Sequence, residues 1–195
     1  YDPVTGECRG LLIEEQRTNL LTYSEQFDNA AWAANAASVS ANTAVSPDGL
    51  TTADKLVETA VTDGHYVLKN NVWTATVFTL NVYAKAAERN FVVLAENSTA
   101  IARRTWFNLS TGAVGTTAPG HTATITPVGS GWYRCAITFT ATAITQWLTI
   151  NVAATDGVFS YAGVAANGIY LWGAQLEAGA FATSYIPTVA SQVTR

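Results

Sequence analysis

The residues of this chain best suited to chemistry are flat aromatic rings set beside amide and cationic side chains. Tyr83 alternates with Asn81 and Lys85, Trp106 with Arg104 and Asn108, Trp132 with Arg134 and Thr138, and Trp147 with Thr149 and Asn151. Residues two apart on an extended strand share a face, so each set lies on one side of its strand. An indole or phenol plane matches the C–H face of a sugar ring. The flanking amides and guanidinium groups can meet hydroxyls that would cost free energy if buried unpaired. Aromatic surface with a few convergent polar groups is also the general anatomy of a ligand site. On this reading the glycan-binding residues are Tyr83, Lys85, Trp73, Arg104, Trp106, Arg134, Trp147 and Asn151. Lys85, Arg103, Arg104 and Arg134 would admit an anionic polysaccharide. Trp32 and Trp172 are read as core, and Trp132 as cover for a sheet edge.

Catalysis has little to stand on in the sequence. There is no His-Glu-x-x-His, Cys-x-x-Cys, Walker loop or Gly-x-Ser-x-Gly. The two histidines, His65 and His121, are read as solvated loop or strand-edge residues. Two His and two Cys are too few for a zinc site. The acidic candidates, Glu14 with Glu15, Glu58 with Asp63, and Glu96, show no spacing that forces two carboxylates across a cleft. No catalytic residue is assigned, and the expectation is that the chain is not an enzyme.

Charge narrows the partners. The net charge is -4 and the pI about 5.0. The only adjacent basic pair is Arg103-Arg104, so a nucleic-acid partner is excluded by the lack of a basic patch. No apolar run approaches about 18 residues, so no membrane-inserting helix is expected. No secretory signal pattern is present. The chain has no Met, which suggests a fragment, a processed product or an excised domain. Cys135 falls on the apolar side of its strand and is read as a small buried hydrophobe. A disulfide to Cys8 stays open.

The elements that must position the rings are strands. Charged residues are only 12% of the chain against 49% hydrophobic, a balance that favours a folded, β-branched-rich domain over disorder. From about residue 64 short strand-like runs follow one another: HYVLKNNV, VFTLNVYAKA, FVVLAENS, RRTWFNLS, ATITPV, WYRCAITFTA, QWLTINVAA and IYLWGAQLE. Turn material such as Ser110-Thr111-Gly112 and Gly129-Ser130-Gly131 separates them. Alternation turns Phe78, Leu80, Val82 and Ala84 to one side, and likewise Tyr133, Cys135, Ile137 and Phe139. Leu148, Ile150 and Val152 do the same. The stretch NAAWAANAASVSAN reads as irregular. Residues 1–24 read as an extended arm packed on a sandwich of residues 25–195, with Arg17 and Asn19 as backbone anchors. The fold class is all-β, an antiparallel β-sandwich of jelly-roll, galactose-binding-like topology.

Several phrases carry a resemblance. GLLIEEQRTNLLTYSEQFDNAAW, SPDGLTTADKL, YAKAAERNF, FNLSTGAVG, GSGWYRCAITFTA and GIYLWGAQLEAGAFATSYIPT resemble, in this order, a module of phage tail-fibre and head-fibre structural proteins. A looser similarity is to jelly-roll carbohydrate-binding modules of the family 4/9/22 type, through Asn19-Leu20-Leu21, Phe27, Trp32, Asp48-Gly49 and Tyr83-Ala84-Lys85. Those modules often hold a structural calcium. Here Trp172 and Gly173 stand where its acids would be, so calcium is weakly supported. The resemblances imply a non-catalytic, lectin-like module that recognises a surface or matrix polysaccharide. Its place would be a virion fibre or an extracellular protein, with room for a homotrimer in the parent. The alternatives are a purely structural fibre or decoration domain making protein contacts, and a polysaccharide hydrolase or lyase.

Overall fold

A computed structural model describes residues 14–72, 74, 76–97, 101–142 and 145–195. Every regular element among them is a strand. The first large sheet runs in the order β11 (Thr122–Gly129), β12 (Trp132–Thr140), β7 (Val77–Ala86), β15 (Gly168–Ala178), β4 (Ala53–Glu58) and β3 (Ala37–Ala44). The second runs β10 (Ala113–Val114), β9 (Arg103–Asn108), β8 (Phe91–Glu96), β13 (Thr145–Ala153), β6 (His65–Val72) and β2 (Ala33–Asn35). Two short ribbons pair β1 (Thr18–Asn19) with β16 (Val193–Thr194), and β5 (Thr62–Asp63) with β14 (Tyr161–Ala162). All pairings are antiparallel.

The two sheets share one apolar core. Phe78, Leu80 and Val82 of β7 and Cys135, Ile137 and Phe139 of β12 meet Val92 and Leu94 of β8 and Leu148, Ile150 and Val152 of β13 in a single buried cluster. The alternation read from the sequence selects the β7, β12 and β13 members of this cluster. The segment NAAWAANAASVSAN is not irregular beyond its first turn: it holds β2 and all of β3 but its last two residues. Its small side chains give little contrast between faces, and its strands exist because β6 and β4 offer free edges. Cys135 is fully buried, and burial pushes its thiol pKa up. Cys8 lies outside the described residues.

β15 carries the fold's main irregularity. Its pairing with β7 shifts between Trp172 and Gln175. Gly173 sits in that bulge at φ 61°, where a Cβ would come within 3.0 Å of the Tyr83 ring. Only glycine meets both demands. β4 pairs with β15 only as far as Leu171. Beyond it the arm takes over: Leu20 N–H donates to Leu176 O at 2.8 Å and Ala174 N–H to Ser24 O at 2.8 Å.

Asn19 locks this junction. Its Nδ2 donates to Ala174 O (3.2 Å) and Ile186 O (2.9 Å), and its Oδ1 accepts from Leu21 N–H (3.1 Å) and Leu176 N–H (3.2 Å). Gln175 continues the lock: Oε1 accepts from Ile186 N–H at 2.6 Å, and Nε2 donates to Ser184 O at 3.4 Å. The arm and residues 183–188 are thereby drawn across the outer face of the first sheet. Asn19→Ala strands buried backbone groups on both strands it bridges, and a cost of roughly 3 kcal/mol is expected. A lower urea midpoint at unchanged m-value would register it.

Candidate functional site

The ring-bearing residues divide between two outer faces on opposite sides of the core. Tyr83 and Lys85 on β7 lie beside Arg134 and Trp132 of β12. Arg104 and Trp106 on β9 belong to the other sheet, separated by β8 from Trp147 and Asn151 on β13. They form no single surface. Trp73 lies outside the described residues.

On the first sheet the rings are covered by the chain itself. Trp172 packs 4.7 Å from Tyr185 and 5.2 Å from Tyr83, ring centre to ring centre. Tyr185 comes from the C-terminal segment and donates to Glu25 at 3.0 Å, while its hydroxyl also pairs with Ser24 at 2.6 Å. Arg134 donates to Asn81 Oδ1 at 3.0 Å and to the carbonyl of Thr183, and its guanidinium lies over Tyr83. It clamps the C-terminal segment rather than facing solvent. Trp132 is 2% exposed, and its Nε1 donates to Val45 O at 3.0 Å. Lys85 is half-buried beside Gly131.

The second outer face is closed in the same way. Trp106 is 6% exposed and donates to Val158 O at 3.3 Å. Phe159, from the same loop, lies 3.8 Å beneath the Arg104 guanidinium, and burial lowers the Arg104 pKa. Asn151 is 1% exposed and spends its Nδ2 on Val93 O and Thr149. Trp147 is half-buried. Trp32 and Trp172 are buried, as read from the sequence.

Both histidines are buried, in contrast to the solvated positions expected for them. His65 and His121 side chains are 0% exposed, and each lies against a buried glutamate that also binds an arginine. Glu58 accepts from Arg89 and from Val164 N–H, while His65 Nδ1 is 2.6 Å from Ala36 O. Glu96 Oε1 lies 2.6 Å from Arg103 Nε and 3.0 Å from His121 Nε2, and His121 Nδ1 is 2.9 Å from Thr105 Oγ1. Thr105, His121 and Glu96 stand in the order of a nucleophilic relay. Yet Thr105 is 0% exposed and its hydroxyl accepts from Ala118 N–H. No substrate reaches it, so the row ties the 118–121 turn to the core. Sequence reasoning missed both clusters because their members lie 7 to 31 residues apart.

Open concave regions among the described residues include the following. A groove of about 250 Å³ runs along the outer face of β11, β12 and β7, lined by Thr122, Thr124, Thr126 and Thr138, with Arg134 and Phe181 on its walls. A shallow hollow of about 430 Å³ lies between Arg104, Trp106 and Pro119, beside the exposed Ile101. A pocket of about 110 Å³ is lined by Glu25, Asp28 and Asp54 with Asn42 and Thr52. Burial raises the pKa of Glu25, with the charge of Asp48 adding to it. Burial also raises Asp54, although Asp54 accepts backbone N–H groups from Phe27 (2.8 Å) and Asn42 (2.9 Å). Among the described residues no group of three or more His, Cys, Asp or Glu is placed to hold a metal.

No protein-family profile matches the chain, and no curated protein does. Among solved structures it is similar to the crystal structure of the bacteriophage CBA120 tailspike protein 4 enzymatically active domain. The identity is 14% and the TM-score 0.49, over 81% of this chain and 21% of that one. The expectation of a non-catalytic, lectin-like face is corrected here. Trp106 and Trp132 are buried and Tyr83 is packed under Trp172 and Tyr185, so the described rings make no continuous aromatic face, and the solved domain is described as enzymatically active. The expectation that the chain is not an enzyme is withdrawn on that same description.

The raised pKa of Glu25 fixes a sign. A carboxyl that holds its proton more tightly folded than unfolded favours the folded state in acid, and that advantage is lost as pH rises through the folded pKa. Glu25→Gln is therefore expected to melt higher than the parent at neutral pH. The gap should close below the ordinary carboxylate range of about 4. Thermal melts across pH check this.

Proposed function

We propose that this chain is a structural module of a phage tail-type virion protein, a jelly-roll-like sandwich of residues 25–195 with an arm of residues 1–24 packed on it. Its work is to space and dock neighbouring protein parts. The observation that carries this reading is the covering of the Trp172, Tyr83 and Trp106 rings by the chain's own segments. The C-terminal segment covers Trp172 and Tyr83, and the 158–161 loop covers Trp106. What stays open on the first sheet is a row of short hydroxyls and methyl groups, with Arg134 and Phe181 at its walls. Such a surface suits protein contact through a polar, close-fitting face. The resemblance of the ordered sequence phrases to fibre modules supports the same setting, the virion. In cross-linked particles carrying this chain, Lys55 and Lys85 are expected to join other virion proteins. A domain that forms no such links would overturn the reading.

The acidic pocket favours a second reading, cleavage of a polysaccharide. Glu25, its pKa raised by burial, would stand as proton donor, with Asp28 or Asp54 as the second carboxyl of the pair. Reducing ends released from a glycan panel, and lost in both Glu25→Gln and Asp54→Asn with the fold intact, would support it. No release from any glycan, or release unchanged in both variants, would dismiss this pocket as the site.

A further inference from the structure

The four edges of the two large sheets are not alike. Natural sheets blunt their edges with short strands, charges, prolines or bulges, because an edge leaves alternate backbone N–H and C=O groups unpaired. In the second sheet the edge strands are β10, of two residues, and β2, of three. In the first sheet β3 is eight residues long, but its register shifts between Ser40 and Ala44, and Asn42 sits at φ 55°. In β11 the proline and the bulge are confined to one end, at Pro127 and just after it, which leaves Thr122–Thr126 regular. β11 pairs with β12 in unbroken register from Thr122 to Pro127, and its irregularity comes only afterwards, before Gly129. Its sequence, TATITPVG, holds no charged residue, a property it shares with β2, β3 and β10.

We infer that β11 is a self-pairing edge: two copies of this chain join there as an antiparallel, two-fold pair. This gives the proposed docking role a specific partner, and rests on that reading. The sequence of β11 is complementary to itself. With the two-fold at Thr124, Thr124 meets its own copy, Thr122 meets Thr126, and Ala123 meets Ile125. One face of the joint is then all threonine, and cross-strand threonine pairs are favourable. The other face sets a small residue against a large one. Exposure follows the same division, with Thr122, Thr124 and Thr126 exposed and Ala123 and Ile125 half-buried. Charge points the same way. Each copy carries -4, so charged surfaces repel between copies, and this edge lets two chains meet without that cost. The groove beside β11, with the half-exposed Phe181 on its wall, would continue across the two-fold axis.

A joint of five residues is small, so dissociation is expected at roughly 10–100 µM. Sedimentation from low micromolar to several hundred micromolar tests it. The unaltered domain should pass from monomer to dimer. Thr124→Lys sets two like charges face to face across the axis and should hold the domain monomeric. Ser40→Lys, on the β3 edge, should leave the dimer intact. Concentration-dependent protection of the Thr122–Thr126 amides against hydrogen exchange, in the unaltered chain, gives the same answer should Thr124→Lys fail to fold. A monomer at every concentration, a dimer that survives Thr124→Lys, or a dimer lost in Ser40→Lys would each overturn the inference. None of these would touch docking to other virion proteins, which the cross-linking experiment decides separately.

Discussion

The outer half of β15 is the constraint on which this architecture turns. At the Gly173 bulge the strand loses β4 as a neighbour and still has to satisfy its backbone from residue 174 onward. Buried amide and carbonyl groups left without partners cost too much to tolerate. The arm supplies one set of partners and the C-terminal segment the other. Asn19 and Gln175 join them because a primary amide both donates and accepts. Glu177 closes the far end, accepting from Thr183 N–H at 3.0 Å and Thr183 Oγ1 at 2.5 Å. Once the segment is held there, Tyr185 falls over Trp172, and only the β11–β12 side of the first outer face stays open.

β6, β7, β8, β9, β11, β12, β13 and β15 were legible as strand-like runs between turn residues, and β7, β12 and β13 also through side chains that alternate in hydrophobicity; the two-residue β10 and β14 were not. VFTLNVYAKA and WYRCAITF announce both a strand and its buried face. β2 and β3 were not legible. Ala, Ser and Asn carry too little contrast, and only the neighbouring strands make these residues extended. The rings were half legible. Alternation correctly removed Tyr83 and Trp106 from the central core, but a strand pattern says nothing about a later segment returning to cover its outer side. The bond between Ser24 and Tyr185 spans 161 residues, and no local pattern encodes it.

The histidines make the same point through charge. Alone in sequence, each looks like a polar residue at a strand edge. In the fold, Glu58 and Glu96 are buried and need cations and N–H donors, and the histidines pack into those sets. Buried ion clusters contribute less to stability than to fixing one arrangement over its competitors. Here they fix where the 118–121 turn and the 161–164 loop close over the sheets. The open surfaces that remain are therefore defined by which loops these clusters hold down.

The small β1–β16 ribbon has a mechanical consequence. Thr18 faces Thr194 and Asn19 faces Val193, with Arg17 and Arg195 exchanging two further backbone bonds beside them. Tension drawn through these two neighbouring segments acts across the ladder, so its hydrogen bonds open one at a time like a zip instead of shearing together. The peeling front then arrives at Asn19, whose bonds reach into β15 and toward Ile186. Under load this side chain is the catch: the ribbon yields early, and the two large sheets stay together until the amide lets go.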